Sequence, residues 1–235
     1  LYSMADAVIV GKFVGTKGLA AVGATGTITF LIIGFLMGLT TGFTVLTSQK
    51  FGAGRMDEMR KTVGNAAILS AVIAVIMTAV SMLGMHRLLV FMHTPEDIFD
   101  GAYGYIMIIC AGIFTQVLYN LVSSVLRALG NSKTPLYFLI LAAGLNIVLD
   151  LVFIIFFHWG APGAAWATVI SQGVSGLLCL VYIWKAVPEL RMKREDWHFN
   201  KDIAAKQISV GIPMGLQYSI TAIGGMMVQS SLNIL

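Results

Sequence analysis

Apolar residues fill this chain in blocks, without strict alternation from one position to the next. Five blocks reach the length of about 20 residues that a helix needs to cross a bilayer core. They lie at roughly 24–48, 62–84, 103–126, 135–157 and 164–184, with partial blocks at about 1–14 and 207–235. Block length and the missing period of two predict membrane-spanning helices rather than barrel strands. With the partial block at the start counted as the first span, polar, glycine-bearing stretches mark the breaks. FGAGR (51–55) follows the second span, GNSKTP (130–135) the fourth and HWGAPG (158–163) the fifth. The sequence starts at Leu1 inside one block and stops at Leu235 inside another, as expected of a piece of a longer protein.

Hydrophobic residues are 57% of the 235 and charged residues 11%, against about 25% charged in a soluble domain. Mean hydropathy is +0.86. With too few ions to cover a water-facing surface, the chain reads as an integral membrane protein. Its net charge of +4 points to no nucleic-acid partner; the placement of the charges is more informative. The first, third and fifth loops hold only Lys12, Lys17 and Arg87, and the other loops hold the remaining twelve of fifteen basic residues. The positive-inside rule therefore predicts a cytoplasmic second, fourth and sixth loop, and a cytoplasmic amino terminus.

The longest polar stretch, KAVPELRMKREDWHFNKDIAAK (185–206), reads either as a basic amphipathic element on anionic lipid or as a solvated linker between two halves. The linker is the expectation. In RLLVFMHTPEDIFD (87–100), an interfacial helix is expected before a helix start at Thr94-Pro95-Glu96-Asp97. Gly34, Gly38 and Gly42 recur at four-residue intervals on one face of the second span. Small residues let a neighbouring helix come close, and packing is expected there rather than substrate lining. Cys110 and Cys179 lie in apolar runs without metal or redox spacing and read as core residues. No pair among His86, His93, His158 and His198 has ligand spacing, so no metal is assigned.

Of eleven acidic residues, Asp57, Glu58, Glu96, Asp97, Asp100, Glu189, Glu195, Asp196 and Asp202 can reach water in loops. Asp6 and Asp150 cannot, and no lysine or arginine lies at matching depth to neutralise them. A charged Asp at a helix centre costs roughly 2.5–3.5 kcal/mol on insertion scales, so each is expected to face a bundle interior or a wet cavity. A carboxyl so placed can take up and release a proton, or hold a small cation when ionised. Asn146 precedes Asp150 by four residues and shares its face, as Tyr2 does for Asp6. Thr168, across the HWGAPG turn, is expected level with Asp150 if the two spans pack antiparallel. A hydrogen-bonded polar knot that only holds helices together is the structural alternative.

Five pieces in order resemble the MATE family (multidrug and toxic compound extrusion transporters). YSMADAVIVGKFVGTKGLAAVG is similar to the family's first span and exit, and SQKFGAGR to the loop after its second span. LRALGNSKTP, LNIVLDLVFI with GAPGAAWATVISQ, and ISVGIPMGLQ resemble its fourth loop, its fifth and sixth spans and the start of its seventh. The resemblance implies an all-α polytopic membrane protein of twelve helices in two six-helix lobes. Residues 1–184 would form the amino-terminal lobe, 185–206 a cytoplasmic linker and 207–235 the start of the carboxy-terminal lobe. It implies Asp6 and Asp150 as ion-coupling carboxylates, Asn146 and Thr168 as their polar support, and Tyr2, Tyr105 and Asn120 as cavity-lining residues. It further implies a monomeric antiporter in a prokaryotic inner membrane. That antiporter would export amphipathic, often cationic organic compounds against H⁺ or Na⁺, with no cofactor.

Three rival readings were weighed. An intramembrane aspartyl protease would use two aspartates, but the Ala5-Asp6 and Leu149-Asp150 contexts lack that class's glycines. A flippase for lipid-linked saccharides would need deep basic residues, which no span carries. A non-transporting scaffold leaves the two stranded acids unexplained.

Overall fold

The structure, a computed structural model, describes the backbone of residues 2–234 and the side chains of 5–220 and 223–225. Among the described residues there are helices and no strand. In chain order these are α1 (Tyr2–Phe13), α2 (Thr16–Gly52), α3 (Met56–Phe91), α4 (Glu96–Ala111), α5 (Ile113–Ala128), α6 (Lys133–Leu151), α7 (Gly160–Ala186) and α8 (Lys201–Ile234). A π-helical stretch, Val152–Phe156, continues α6, and two 3₁₀ turns, Pro188–Leu190 and Arg194–Trp197, lie between α7 and α8.

Every apolar block became a helix, but two outgrew it. At 37 and 36 residues, α2 and α3 each run about 55 Å, well beyond the hydrocarbon core. They are joined by a tight turn in which Gly54 takes φ +72°, a backbone state open mainly to glycine. The single span expected at 103–126 is instead two helices, α4 and α5, bent by 47°. The break sits at Gly112, where a Cβ would lie 2.2 Å from Val169 Cγ2 of α7. A side chain there is sterically barred, so the chain kinks where α7 presses closest. No separate interfacial helix forms at 87–93, because α3 continues to Phe91. α4 does start at Glu96, with Glu96 and Asp97 in its first turn, where carboxylates suit the helix dipole. Thr94 does not cap it; its hydroxyl is buried without a partner among the described residues.

The bent span α4–α5 lies between α2 and α3 on one side and α7 on the other, and α6 packs along α7. α1 meets α2, α6 and α7. Ile28, Leu36, Ile106, Ile113 and Val117 join α2, α4 and α5 in one core, to which Ala164 and Ala165 of α7 belong. Outside, α3 shows Val72, Val75, Ile76 and Leu83, and α6 shows Leu136, Ile140 and Leu141. Apolar cover of this kind on helices of spanning length is the surface a bilayer accepts.

The glycine stripe of α2 packs against α8. A Cβ on Gly38 would stand 2.5 Å from the Met214 carbonyl, and one on Gly42 2.5 Å from Gly211 Cα. Gly211 and Gly215 in turn lie under the rings of Phe43 and Phe35. Gln207 fixes the register by donating to the Phe43 and Thr62 carbonyls at 3.0 and 2.8 Å. The linker is exposed along most of its length, as a solvated segment should be, and is also docked on α3. Asp196 is buried and pairs with Arg60 at 3.5 Å. Asn65 Oδ1 accepts from the Asn200 amide at 2.9 Å. Gly64 leaves no room for a Cβ, which would meet the Asp196 carbonyl at 2.0 Å.

Gly38→Ala and Gly42→Ala put a methyl against backbone that cannot swing aside, and each is expected to destabilise by about 1–3 kcal/mol. Gly23→Ala, where no atom lies within 4 Å, is expected to be neutral or to stabilise by up to about 1 kcal/mol through helix propensity. Thermal unfolding of the intact protein in detergent orders the three.

Candidate functional site

Asp6 projects from α1 into the lobe and is 1% exposed. Three helices supply donors to it. Asn146 Nδ2 of α6 donates to Oδ1 at 3.3 Å. Thr168 Oγ1 of α7 donates to Oδ2 at 3.0 Å, and the Tyr105 hydroxyl of α4 donates to the same oxygen at 3.4 Å. Asn146 also donates to Thr168 Oγ1 at 3.3 Å, so the two supporting groups are tied to each other. Helical spacing is what assembles them: Asn146 and Asp150 share a face of α6, and the short turn after the π stretch returns the chain so that α7 lies alongside.

Asp150, fully buried, lies near enough to Asp6 for the two carboxyls to influence each other. As carboxylates, neither carries a hydrogen to share. Asp150 Oδ1 and Oδ2 and Asn146 Oδ1 all lack a donor among the described residues. No ion pair among the described residues involves either acid. The cluster is thus rich in acceptors and short of positive charge. Two carboxylates side by side in apolar surroundings repel, and one proton or one cation between them relieves the repulsion. The π-helical stretch opens two residues beyond Asp150, the kind of local helix defect that often accompanies a functional site.

Of the residues singled out from sequence, the structure brings together Asp6, Tyr105, Asn146, Asp150 and Thr168. Thr168, expected level with Asp150, bonds to Asp6 and to Asn146. Asn120 is buried on α5, but its Nδ2 has no partner among the described residues, so it stands apart from the cluster. The side chain of Tyr2 lies outside the described residues. Not singled out from sequence were Gln172 and Ser175, which follow Thr168 at i+4 and i+7 on α7 and are buried, with Gln172 Oε1 and Ser175 Oγ lacking a partner among the described residues. That spacing was the available signal.

The profile of the MatE family matches residues 1–152. Over 234 residues the chain is 32% identical to "Probable multidrug resistance protein YpnP" of Bacillus subtilis, covering 99% of this chain and 52% of that protein. It is 27% identical to "Probable multidrug resistance protein NorM" of Thermotoga maritima, covering 97% of this chain and 49% of that one. The chain spans about half the length of the curated relatives it matches. Among solved structures, an inward-facing multidrug resistance MATE family transporter superposes with a TM-score of 0.91 at 26% identity, over 97% of this chain and 52% of that one. An outward-facing one superposes with 0.85 at 27% identity, over 92% and 48%.

Thr168→Val removes the shortest bond to Asp6 and the acceptor for Asn146, and is expected to cost about 1–3 kcal/mol of stability. Tyr105→Phe removes one long bond and is expected to cost about 0.5–1.5 kcal/mol. Melting temperatures of the two variants check the order, which reverses if the Tyr105 hydroxyl is the stronger donor.

Proposed function

The chain belongs to the MatE family, and we propose that in the whole protein its carboxylate pair couples cation entry to export of amphipathic organic compounds. The family's members are transporters rather than enzymes, and this chain is multi-pass and membrane-spanning. The observation that carries the coupling role is the acceptor surplus at Asp6 and Asp150. A proton loaded there supplies the missing donor between the two carboxyls. A sodium ion instead finds oxygen ligands in both carboxylates and in Asn146 Oδ1.

Either occupant changes how α1 is held, because Asp6 is its polar anchor to α4, α6 and α7. The ionised carboxylate draws in Tyr105, Asn146 and Thr168 as donors. A neutralised one needs them less, and Asp150 becomes a competing partner. The coupling ion then biases the equilibrium between outward- and inward-open forms by its different affinity for the two. Export of drug-like compounds is supported by the relatives' printed names as multidrug resistance proteins.

We place the amino terminus and the linker on the cytoplasmic side of a prokaryotic inner membrane. Lys50, Arg55 and Arg60 gather at the linker end of the bundle, paired with Glu58 and Asp57. The opposite end holds the Lys17–Asp97 pair at 3.6 Å. That asymmetry matches the excess of basic residues on the inner side.

Asp6→Asn and Asp150→Asn each fix a neutral side chain at the pair. Each is expected to abolish efflux driven by a proton or sodium gradient in cells expressing the whole protein, with membrane abundance unchanged. Normal export by both variants under both gradients overturns the coupling role.

A further inference from the structure

A cavity of about 540 Å³ opens between α3 and α7, two helices whose backbones stay apart among the described residues. Its floor is α5, through Leu118, Leu121 and Val125. Val63 and Ala67 of α3 form one wall, and Leu180 and Ile183 of α7 form the other. The linker roofs the cytoplasmic end, with Leu190 packed beside Met59 and Val125. Trp184, Arg191 and Trp197 stand at that end of the cavity.

We propose that this fissure binds an anionic phospholipid of the cytoplasmic leaflet, its acyl chain between α3 and α7 and its phosphate at Arg191 and the neighbouring linker cations. The walls are apolar and the volume falls within the span of small-molecule sites, roughly 300–1,000 Å³, so the occupant is mostly hydrocarbon. On either side α3 shows Val72 and Val75 outward and α7 shows Leu177 and Val181, which opens the fissure to the acyl region of a bilayer. Trp184 and Trp197 are exposed at the depth where indole rings favour the membrane interface.

Charge decides the headgroup. From Lys185 to Asp196 the linker holds Lys185, Arg191, Lys193 and Arg194 against Glu189, Glu195 and the buried Asp196. None of these four cations forms an ion pair among the described residues. The linker's buried acid, Asp196, is engaged by Arg60 and does not neutralise them. A basic cluster beside a membrane surface attracts anionic lipid by about fivefold in binding per residue. An organic cation meets the same cluster with repulsion.

The test is native mass spectrometry of the intact protein with phosphatidylglycerol, with phosphatidylcholine of the same chains, and with chainless glycerol phosphate. Phosphatidylglycerol is expected to bind about a hundredfold more tightly than phosphatidylcholine. The triple variant Arg191→Gln, Lys193→Gln, Arg194→Gln is expected to lose that preference. Ala67→Phe, and separately Leu180→Trp at a lipid-exposed wall position, fill the fissure and are expected to weaken phosphatidylglycerol with the charges intact. Equal binding of the two lipids, or an unaltered preference in the triple variant, overturns the headgroup assignment. Displacement by glycerol phosphate as effective as by whole lipid, or undiminished binding to the filled variants, overturns the acyl-chain site.

Discussion

One carboxylate, Asp6, fastens the shortest helix of the bundle to three others. α1 has 12 residues and a modest apolar contribution to the core, chiefly Ile9 and Val10. Among the described residues its polar attachment runs through Asp6, which accepts from Tyr105, Asn146 and Thr168. A buried ion held by neutral donors, with a second carboxyl beside it, is stable only while its charge is shared or offset. Under the proposed coupling, one proton or one cation at this pair changes how α1 is attached, as no apolar contact could.

The joint between α2 and α8 obeys different physics. Gly38, Gly42, Gly211 and Gly215 let the two backbones meet at distances that admit no side chain. Lipid solvates apolar side chains as readily as another helix does, so close backbone approach is what holds such a pair together in a membrane. At Gly38, Gly42, Gly211 and Gly215 this contact is backbone against backbone and aromatic ring, with no acid or base among the groups that meet there. The fold thus combines a steric seam that stays put with a polar anchor that can be loosened.

Much of this was legible in the sequence. Apolar block length gave the spans, because a bilayer imposes a length on every crossing helix. Elimination isolated Asp6 and Asp150, because an acid without a nearby base is conspicuous in so apolar a chain. The glycine interval of four marked a packing face, though not its partner, since a repeat shows which residues share a face and not what lies opposite. What could not be read were features set by distant neighbours. Gly112 at the bend has no room for a side chain because Val169, 57 positions later in the chain, occupies that space. The linker's docking depends on Arg60, Gly64 and Asn65, which sit in an apolar helix where local composition reveals no partner.

The docked linker also changes how the two ends of the chain communicate. It leaves α7, crosses to α3 and returns as α8, whose Gln207 grips the backbones of α2 and α3. The helix that begins the next segment is therefore registered against the lobe at two places, by Asn65 to Asn200 and by Gln207. A shift of α1 at the carboxylate cluster acts on a lobe whose far edge is clamped. In a clamped lobe, packed interfaces convert a small local change into a choice between discrete arrangements rather than a gradual deformation.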